Sequence, residues 1–276
     1  MLDDLLHIFY PREYTLANGK VVKEKFNWTP YITIAVILVS IFFAKFCKLN
    51  LNKFITRFHY FFDMIKSMVP PNWSFWAQIK KPMMDTLVMS LLGTAYGCAL
   101  ALPMSFYLSN NFKLNKTYMA AHRGILSVFR TLPTMVYASL LSIVIGTGTL
   151  AGTISIAIFS YTIAVKMLYE QIETIDMGPY EALESTGATR VKCMMKAAYP
   201  QVRGFFWSTV LYCFETNVRS AAILGYVGAG GIGVQMNTQL SFRNYANAGM
   251  LLLVLVITVV IIETISREMR KKLVQG

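Results

Sequence analysis

The sequence predicts an all-α, polytopic membrane protein of about six transmembrane helices, with one amphipathic helix on the membrane surface. Of its 276 residues, 55% are hydrophobic and 14% are charged, whereas soluble domains carry roughly 25% charged residues. The mean hydropathy is +0.48, so the chain has more apolar surface than one soluble core can bury. Helices are expected because an isolated strand cannot satisfy its backbone hydrogen bonds in lipid.

Six apolar stretches are long enough to cross a hydrocarbon core of ~30 Å as helices, which takes about 20 residues. They occupy residues 29–47, 83–109, 124–146, 150–172, 202–224 and 246–265. The first stretch follows a polar segment that lacks the basic start and cleavage site of a signal peptide, so it is expected to remain as a membrane helix. The four cysteines form no CxxC pair and the three histidines stand singly. The sequence therefore predicts no metal site, no cofactor and no catalytic cluster.

The distribution of basic residues predicts the orientation. A net charge of +12 would suggest nucleic acid as the partner of a soluble protein, but here the basic residues flank membrane spans and face anionic headgroups. They follow the second, fourth and sixth stretches: Lys113, Lys116 and Arg123; Arg190, Lys192, Lys196 and Arg203; Arg267, Arg270, Lys271 and Lys272. We place these segments and both termini in the cytoplasm, and we predict no nucleic-acid partner.

One basic segment, between the first and second stretches, falls on the outer side in this topology. Within it, Phe54, Phe58, Phe61, Ile65 and Met68 recur at helical spacing. Residues 51–69 are therefore predicted to form an amphipathic helix on the outer membrane surface. The expected organisation is a cytoplasmic segment at 1–28, the first span and amphipathic helix at 29–82, a core at 83–266 with a cytoplasmic loop at 176–200, and a cytoplasmic tail at 267–276.

The stretch GYVGAGGIGVQ, residues 225–235, matches the GxGxxG pattern of dinucleotide-binding loops. That meaning requires a preceding strand and an acidic residue about 20 positions on. Here an apolar span precedes the stretch, and position 253 is Leu. The glycines permit positive φ and close backbone approach, which leaves a flexible outer loop or a compact turn at the outer mouth of a pathway. The candidate residues are Gly225, Gly228, Gly230, Gly231 and Gly233.

The segment DMGPYEALESTGATRVKCMMKAAYPQV, residues 176–202, predicts two short cytoplasmic helices. Pro179 suits a first helical turn and Gly187 a left-handed cap, so the first helix is expected over 179–186. Thr189 is expected to cap a second helix, which Pro200 limits before the next span. This shape suits docking into a groove on another protein. The residues assigned to docking are Glu181, Ala182, Glu184, Gly187 and Pro200.

The spacing of Glu181-Ala182, Gly187 and Pro200 resembles the EAA loop of ABC importer permease subunits. The match departs at Leu183, Ala197 and Tyr199, where the family usually has Ala, Ile and Leu; these replacements are apolar or aromatic and preserve the docking shape. ETNVRSAAILGYVGAGGIGV (215–234) and PPNWSFW (70–76) resemble the phosphonate ABC transporter permeases in particular. The resemblance covers roughly residues 68–272.

The resemblance implies a type I ABC importer permease fold and a homodimeric pore in the inner membrane of a prokaryote. It also implies two ATP-hydrolysing subunits on the cytoplasmic face and an outer solute-binding protein that delivers a small anionic, phosphonate-type substrate. The chain has no GxxxxGK[ST] phosphate loop, so it is predicted not to be an enzyme. A separate chain would hydrolyse ATP.

Polar residues in the fifth stretch are candidates for the translocation pathway, because an unpaired charge in a membrane span costs at least ~2.5 kcal/mol. Glu215 and Arg219 are spaced i, i+4 and are able to pair on one helix face. Alternatively, Arg219 faces the dimer axis with Asn217 and Ser220, and these side chains donate hydrogen bonds to a passing oxyanion.

Arg130 is a further pathway candidate, because it lies three residues before Pro133. The proline ring leaves the carbonyl of Phe129 without its helical partner, so a bend is expected there. Lys166 and Glu170, also spaced i, i+4, are interpreted as a packing pair near the cytoplasmic end.

Three other functions are alternatives to this assignment. A secondary transporter would need inverted repeats and broken helices in matching halves, and the sequence contains no internal repeat. A membrane-embedded enzyme would need a convergent acid, base or metal cluster. An ABC importer of phosphate, phosphite, an amino acid or methionine stays open, because permeases share the EAA loop whatever they carry.

Overall fold

Helices account for nearly all of the described chain in this computed structural model, which covers residues 13–15, 19–23, 28–48, 50–112 and 116–275. Lys113 and most of the predicted segment 1–28 lie outside the described residues. The chain divides into two units, Met1–Asp63 and Met64–Gly276. The predicted boundaries at residues 28, 82 and 266 stay predictions.

The first unit contains a short antiparallel strand pair, β1 (Glu13–Thr15) and β2 (Val21–Lys23), in which Tyr14 is opposite Val22. Helix α1 (Thr29–Phe46) follows, and none of its residues is buried. An 18-residue apolar helix without a buried face is what a lipid-facing membrane span requires. Helix α2 (Leu51–Ser67) forms where the amphipathic helix was predicted.

The second unit holds the remaining helices. They are α3 (Trp76–Leu108), α4 (Lys116–Thr131), α5 (Thr134–Ile145), α6 (Thr149–Ile172), α7 (Gly178–Ser185), α8 (Arg190–Cys193), α9 (Tyr199–Leu224), α10 (Ile232–Ser241) and α11 (Tyr245–Gln275). Short 3₁₀ turns at Trp73–Phe75, Asn110–Phe112 and Gly225–Val227 join some of them.

The all-α membrane fold is confirmed, with fewer uniform spans than predicted. Four helical segments of the described chain are long and apolar enough to cross a membrane: Thr29–Phe46, Trp73–Leu108, Thr149–Ile172 and Tyr245–Leu273. The third predicted stretch is broken, because α4 and α5 meet at 88°. Helix α9 has 26 residues, which is long enough for a span, but its composition is too polar for it to be counted among these four. Its polar side chains make contacts inside the protein, which reduces the cost of placing them in a span.

Helices α3 and α6 pack closely because Gly93 and Gly97 of α3 have no side chains at the contact. A Cβ atom on Gly97 would lie 2.5 Å from the carbonyl oxygen of Ala157 and 2.8 Å from Cβ of Ser160. A Cβ atom on Gly93 would lie 2.6 Å from Ile156 Cγ2. Small residues four apart allow membrane helices to approach at the backbone. This GxxxG pair (Gly93, Gly97) was not recognised in the sequence.

We expect Gly97→Leu to lower the melting temperature of the purified protein in detergent, because α3 and α6 must separate to accommodate the side chain. Overpacking of this kind costs about 1–3 kcal/mol. Gly124→Leu in α4 is the matched control, since a Cβ atom there has nothing within 4 Å. An equal melting temperature for the two variants would contradict the close packing.

Candidate functional site

The loop between α6 and α9 contains the predicted docking helix. Helix α7 spans Gly178–Ser185, one residue earlier than predicted, with a proline in its first turn. Gly187 has φ +81°; its N–H donates to the Glu184 carbonyl at 3.0 Å, and the Ala188 N–H donates to the Leu183 carbonyl at 3.4 Å. This pair of bonds is a Schellman motif, which ends a helix at a left-handed residue. The interpretation of Gly187 as a left-handed cap matches this geometry.

One face of α7 anchors the helix and the other is exposed. Tyr180 is buried among Phe106, Phe112 and Ile172, whereas Glu181, Ala182 and Glu184 are exposed. Burial raises the pKa of the Tyr180 hydroxyl, and the nearby Glu184 carboxylate raises it further. Tyr180 therefore stays neutral within its apolar cluster. This anchor is not among the residues predicted from the sequence, although an aromatic residue next to the EAA pattern was a signal for it.

The second half of the loop differs from the prediction of a short helix limited by Pro200. Helix α8 continues through a π-helical segment at Met194–Ala198 into α9, in whose first turn Pro200 lies. A π turn changes the carbonyl register before the proline, so the ring is accommodated without ending the helix. Thr189 precedes α8 as predicted, but its side chain makes no capping hydrogen bond.

Two sets of hydrogen bonds hold the base of the docking loop. The Gln201 side-chain amide accepts from the Asp176 N–H at 3.1 Å and donates to the Asp176 carbonyl at 2.9 Å. Arg123 of α4 forms an ion pair with Glu173 just after α6, and it also donates to the Leu108 carbonyl at the end of α3. These bonds connect the ends of α3, α4, α6 and α9 next to the start of α7.

A three-residue charge cluster lies between α9 and α11. The Glu215 carboxylate accepts from Arg219 at 2.5 Å and from Arg270 at 2.7 Å. The Glu215 side chain is 7% exposed, whereas that of Arg219 is 50% exposed. The predicted pair of Glu215 and Arg219 is present, but Arg270 had been assigned to the tail. Sequence spacing does not reveal Arg270 as a partner of Glu215, because the two residues are 55 positions apart in the chain.

The structure does not place Asn217 beside Arg219. Asn217 is 1% exposed, and its amide donates to Thr94 Oγ1 at 2.7 Å and to Ser160 Oγ at 2.6 Å. Residues two apart lie on different sides of a helix, so Asn217 joins α3, α6 and α9 within this chain. Ser220 donates to the Thr216 carbonyl at 3.1 Å. The expected grouping of Asn217 with Arg219 is wrong for this geometric reason.

The region around Arg130 shows the bend expected at Pro133. Helix α4 ends at Thr131, α5 begins at Thr134, and the Tyr137 hydroxyl donates to the Phe129 carbonyl that the bend exposes. Arg130 lies in a small cleft between α4 and α6 that Lys166 also lines. Lys166 and Glu170 form the predicted i, i+4 pair at 3.4 Å, on a partly exposed surface.

The glycine-rich stretch forms a packed turn between α9 and α10. Gly228, Gly230 and Gly231 all have positive φ, between +72° and +82°. A Cβ atom on Gly230 would lie 2.9 Å from the Thr149 backbone nitrogen, and the Gly228 carbonyl accepts from the Gly148 N–H at 2.9 Å. Gly225 and Gly233 face each other so closely that a Cβ atom on either would clash with the other's backbone. This packing favours the compact turn over the flexible loop.

Residues 101–273 match the family described as binding-protein-dependent transport system inner membrane component. A phosphite transport system permease protein of Stutzerimonas stutzeri is 30% identical over 203 residues, which are 74% of this chain and 74% of that protein. A phosphate-import permease protein of Mycolicibacterium smegmatis is 31% identical over 86% of this chain and 45% of its own length. A "putative cryptic phosphonate transport system permease protein" of Escherichia coli K12 is 36% identical over 42% of this chain and 97% of its own length.

The fold is similar to those of solved ABC transporters. A chain of the MetNI methionine ABC transporter in an inward-facing conformation aligns with a TM-score of 0.65 and 20% identity, over 73% of this chain and 99% of that chain. A chain of a bacterial alginate ABC transporter aligns with a TM-score of 0.58 and 14% identity, over 88% of this chain and 96% of that chain. These likenesses establish the type I ABC importer permease fold.

Members of this family are membrane components of transport systems that depend on a binding protein. In such a system a subunit other than the permease hydrolyses ATP. The multi-pass helices and the match over residues 101–273 agree on this assignment. This chain belongs to the binding-protein-dependent transport system inner membrane components, and it is the permease subunit of an ABC importer.

Proposed function

We propose that this permease carries small phosphorus oxyanions, of the phosphonate and phosphite class, inward across the membrane. Two copies of the chain form the pathway. An outer binding protein delivers the solute, and two ATPase subunits dock on the exposed face of α7. Both termini lie in the cytoplasm, on the same side as α7. Permeases named for phosphite, phosphate and phosphonate among the relatives support this substrate class.

The observation that carries the proposal is the net positive charge of the cluster between α9 and α11. Two arginines share one carboxylate, so the cluster carries a net charge of +1. Arg219 is the half-exposed member, so its guanidinium has free donors beyond those it gives to Glu215. A guanidinium binds tetrahedral oxyanions through paired hydrogen bonds. Arg219 can therefore bind an oxyanion briefly as it moves through, while Arg270 balances the charge of the buried Glu215 carboxylate.

We expect Arg219→Gln to lower uptake of labelled methylphosphonate at least about tenfold in cells that also produce the cognate ATPase and binding protein. Charged hydrogen bonds contribute about 1.5–3 kcal/mol, and 1.4 kcal/mol corresponds to tenfold. Arg219→Lys should retain part of the uptake, because the charge remains and the planar fork is lost. Lys271→Gln, which removes an exposed paired cation on α11, is the control.

Competition with unlabelled solutes tests the substrate class in the same cells. Phosphite or phosphonate should inhibit uptake, whereas methionine should not. Inhibition by methionine alone, or full uptake in Arg219→Gln, would overturn the proposed role.

A further inference from the structure

The cleft around Arg130 has an excess of positive charge. Seven residues line the cleft: Arg123, Leu126, Ser127 and Arg130 from α4, and Thr162, Lys166 and Tyr169 from α6. Arg123 pairs with Glu173 and Lys166 pairs with Glu170. Among the described residues Arg130 forms no ion pair, so the three cations and the two carboxylates together carry a net charge of +1.

The size of this cleft matches a single headgroup-sized anion. Its volume is about 60 Å³, more than the roughly 10–15 Å³ that a cavity needs to hold one water molecule, so the cleft has room for a compact group. Arg130 and Lys166 offer cationic donors, and Ser127 adds a hydroxyl. The guanidinium geometry of Arg130 suits a phosphate oxyanion.

A second, larger cavity adjoins this cleft. It has a volume of about 670 Å³ and shares Leu126 and Thr162 with the cleft. Its walls are almost entirely apolar, including Leu100 of α3, Phe129 of α4 and Ile154 of α6. The two cavities together form one groove with a cationic end and an apolar body.

The length and direction of the groove fit an acyl chain. Along α6 its lining runs from Thr162 back to Leu150, twelve residues or roughly 18 Å at 1.5 Å per residue. One leaflet contributes about half of a ~30 Å hydrocarbon core. The cationic end lies nearer α7, where Lys166 is within two turns of the end of α6 at Ile172.

We infer that this groove binds one anionic phospholipid, with its phosphate in the Arg130–Lys166 cleft and an acyl chain along α6. A basic pocket between membrane helices that opens onto apolar surface is a recognised form of headgroup site. The site is separate from Arg219 and does not depend on the identity of the transported solute.

Native mass spectrometry of the purified full-length chain tests this inference with phosphatidylglycerol and with phosphatidylcholine of the same acyl chains. Phosphatidylglycerol should bind at least about tenfold more tightly, and Arg130→Gln with Lys166→Gln should remove that preference. Lys271→Gln should leave it unchanged. Leu100→Trp, which fills the apolar body, should weaken both lipids, whereas Leu252→Trp, on an exposed position of α11 outside the groove, should weaken neither.

Three results would overturn the inference. Equal binding of the two lipids would remove the headgroup site. Displacement of phosphatidylglycerol by free phosphite at equal concentration would make the cleft a solute site. Loss of dimers in Leu100→Trp without loss of lipid binding would make the groove an interface with a second copy. Failure of phosphonate uptake with intact lipid selectivity would overturn only the proposed function.

Discussion

Gly187→Val is expected to abolish the stimulation of ATP hydrolysis by loaded binding protein while the permease reaches the membrane at its normal level. Gly187 has φ +81°, and a β-branched residue in this region costs at least about 1–2 kcal/mol. No atom lies within 4 Å of a Cβ atom built there, so the effect comes from the backbone conformation and not from a steric clash. The two Schellman bonds that end α7 would be lost, and the docking face would be misdirected.

The measurement is ATPase activity of the reconstituted complex, with and without loaded binding protein. Gly187→Asn is the matched variant, because asparagine tolerates the left-handed region better than other residues with a side chain. It should retain much of the stimulation. Glu181→Ala should also be mild, since it removes one exposed acid and leaves the helix end intact. Unchanged stimulation in Gly187→Val would refute the docking assignment of α7.

Glu215→Gln is expected to cause a large loss of folded protein, because it leaves Arg219 and Arg270 without their shared carboxylate. Removal of one member of a fully buried ion pair costs about 3–5 kcal/mol. The Glu215 side chain is nearly inaccessible, but Arg219 and Arg270 are 50% and 27% exposed, so we expect a loss of stability below that range. Glu170→Gln removes an acid from an exposed pair with Lys166, and such pairs contribute at most about 1 kcal/mol. It should therefore have little effect on thermal stability in detergent.

Combined variants separate stability from transport at this cluster. Neutralising Glu215 and Arg219 together leaves Arg270 unpaired, so that double variant should remain unstable. Neutralising Glu215, Arg219 and Arg270 together should restore most of the membrane level. If Arg219 passes the oxyanion, the triple variant should still be deficient in uptake. Native stability of Glu215→Gln would show that the cluster does not hold α9 to α11.

Local patterns in the sequence were sufficient for the features that depend on neighbouring residues. The apolar stretches predicted the membrane helices, since the length of a span is set by bilayer thickness. Pro179 and Gly187 predicted both ends of α7 to within one residue, because the cap conformation is a property of the local backbone. The bend at Pro133 followed in the same way from a missing backbone donor.

Features that join distant segments required the tertiary structure. The partner of Glu215 on α11 is 55 positions away, and the partners of Asn217 on α3 and α6 are 123 and 57 positions away. No periodicity links such positions, so sequence analysis grouped Asn217 with its neighbour Arg219 and assigned Arg270 to a tail. The close approach of Gly97 to Ala157 and the groove beside Arg130 also exist only once α3, α4 and α6 are packed. By itself the sequence determined most of the membrane helices, the helix end at Gly187 and the family, because these depend on local spacing. Helix packing decided which polar side chains meet inside the membrane.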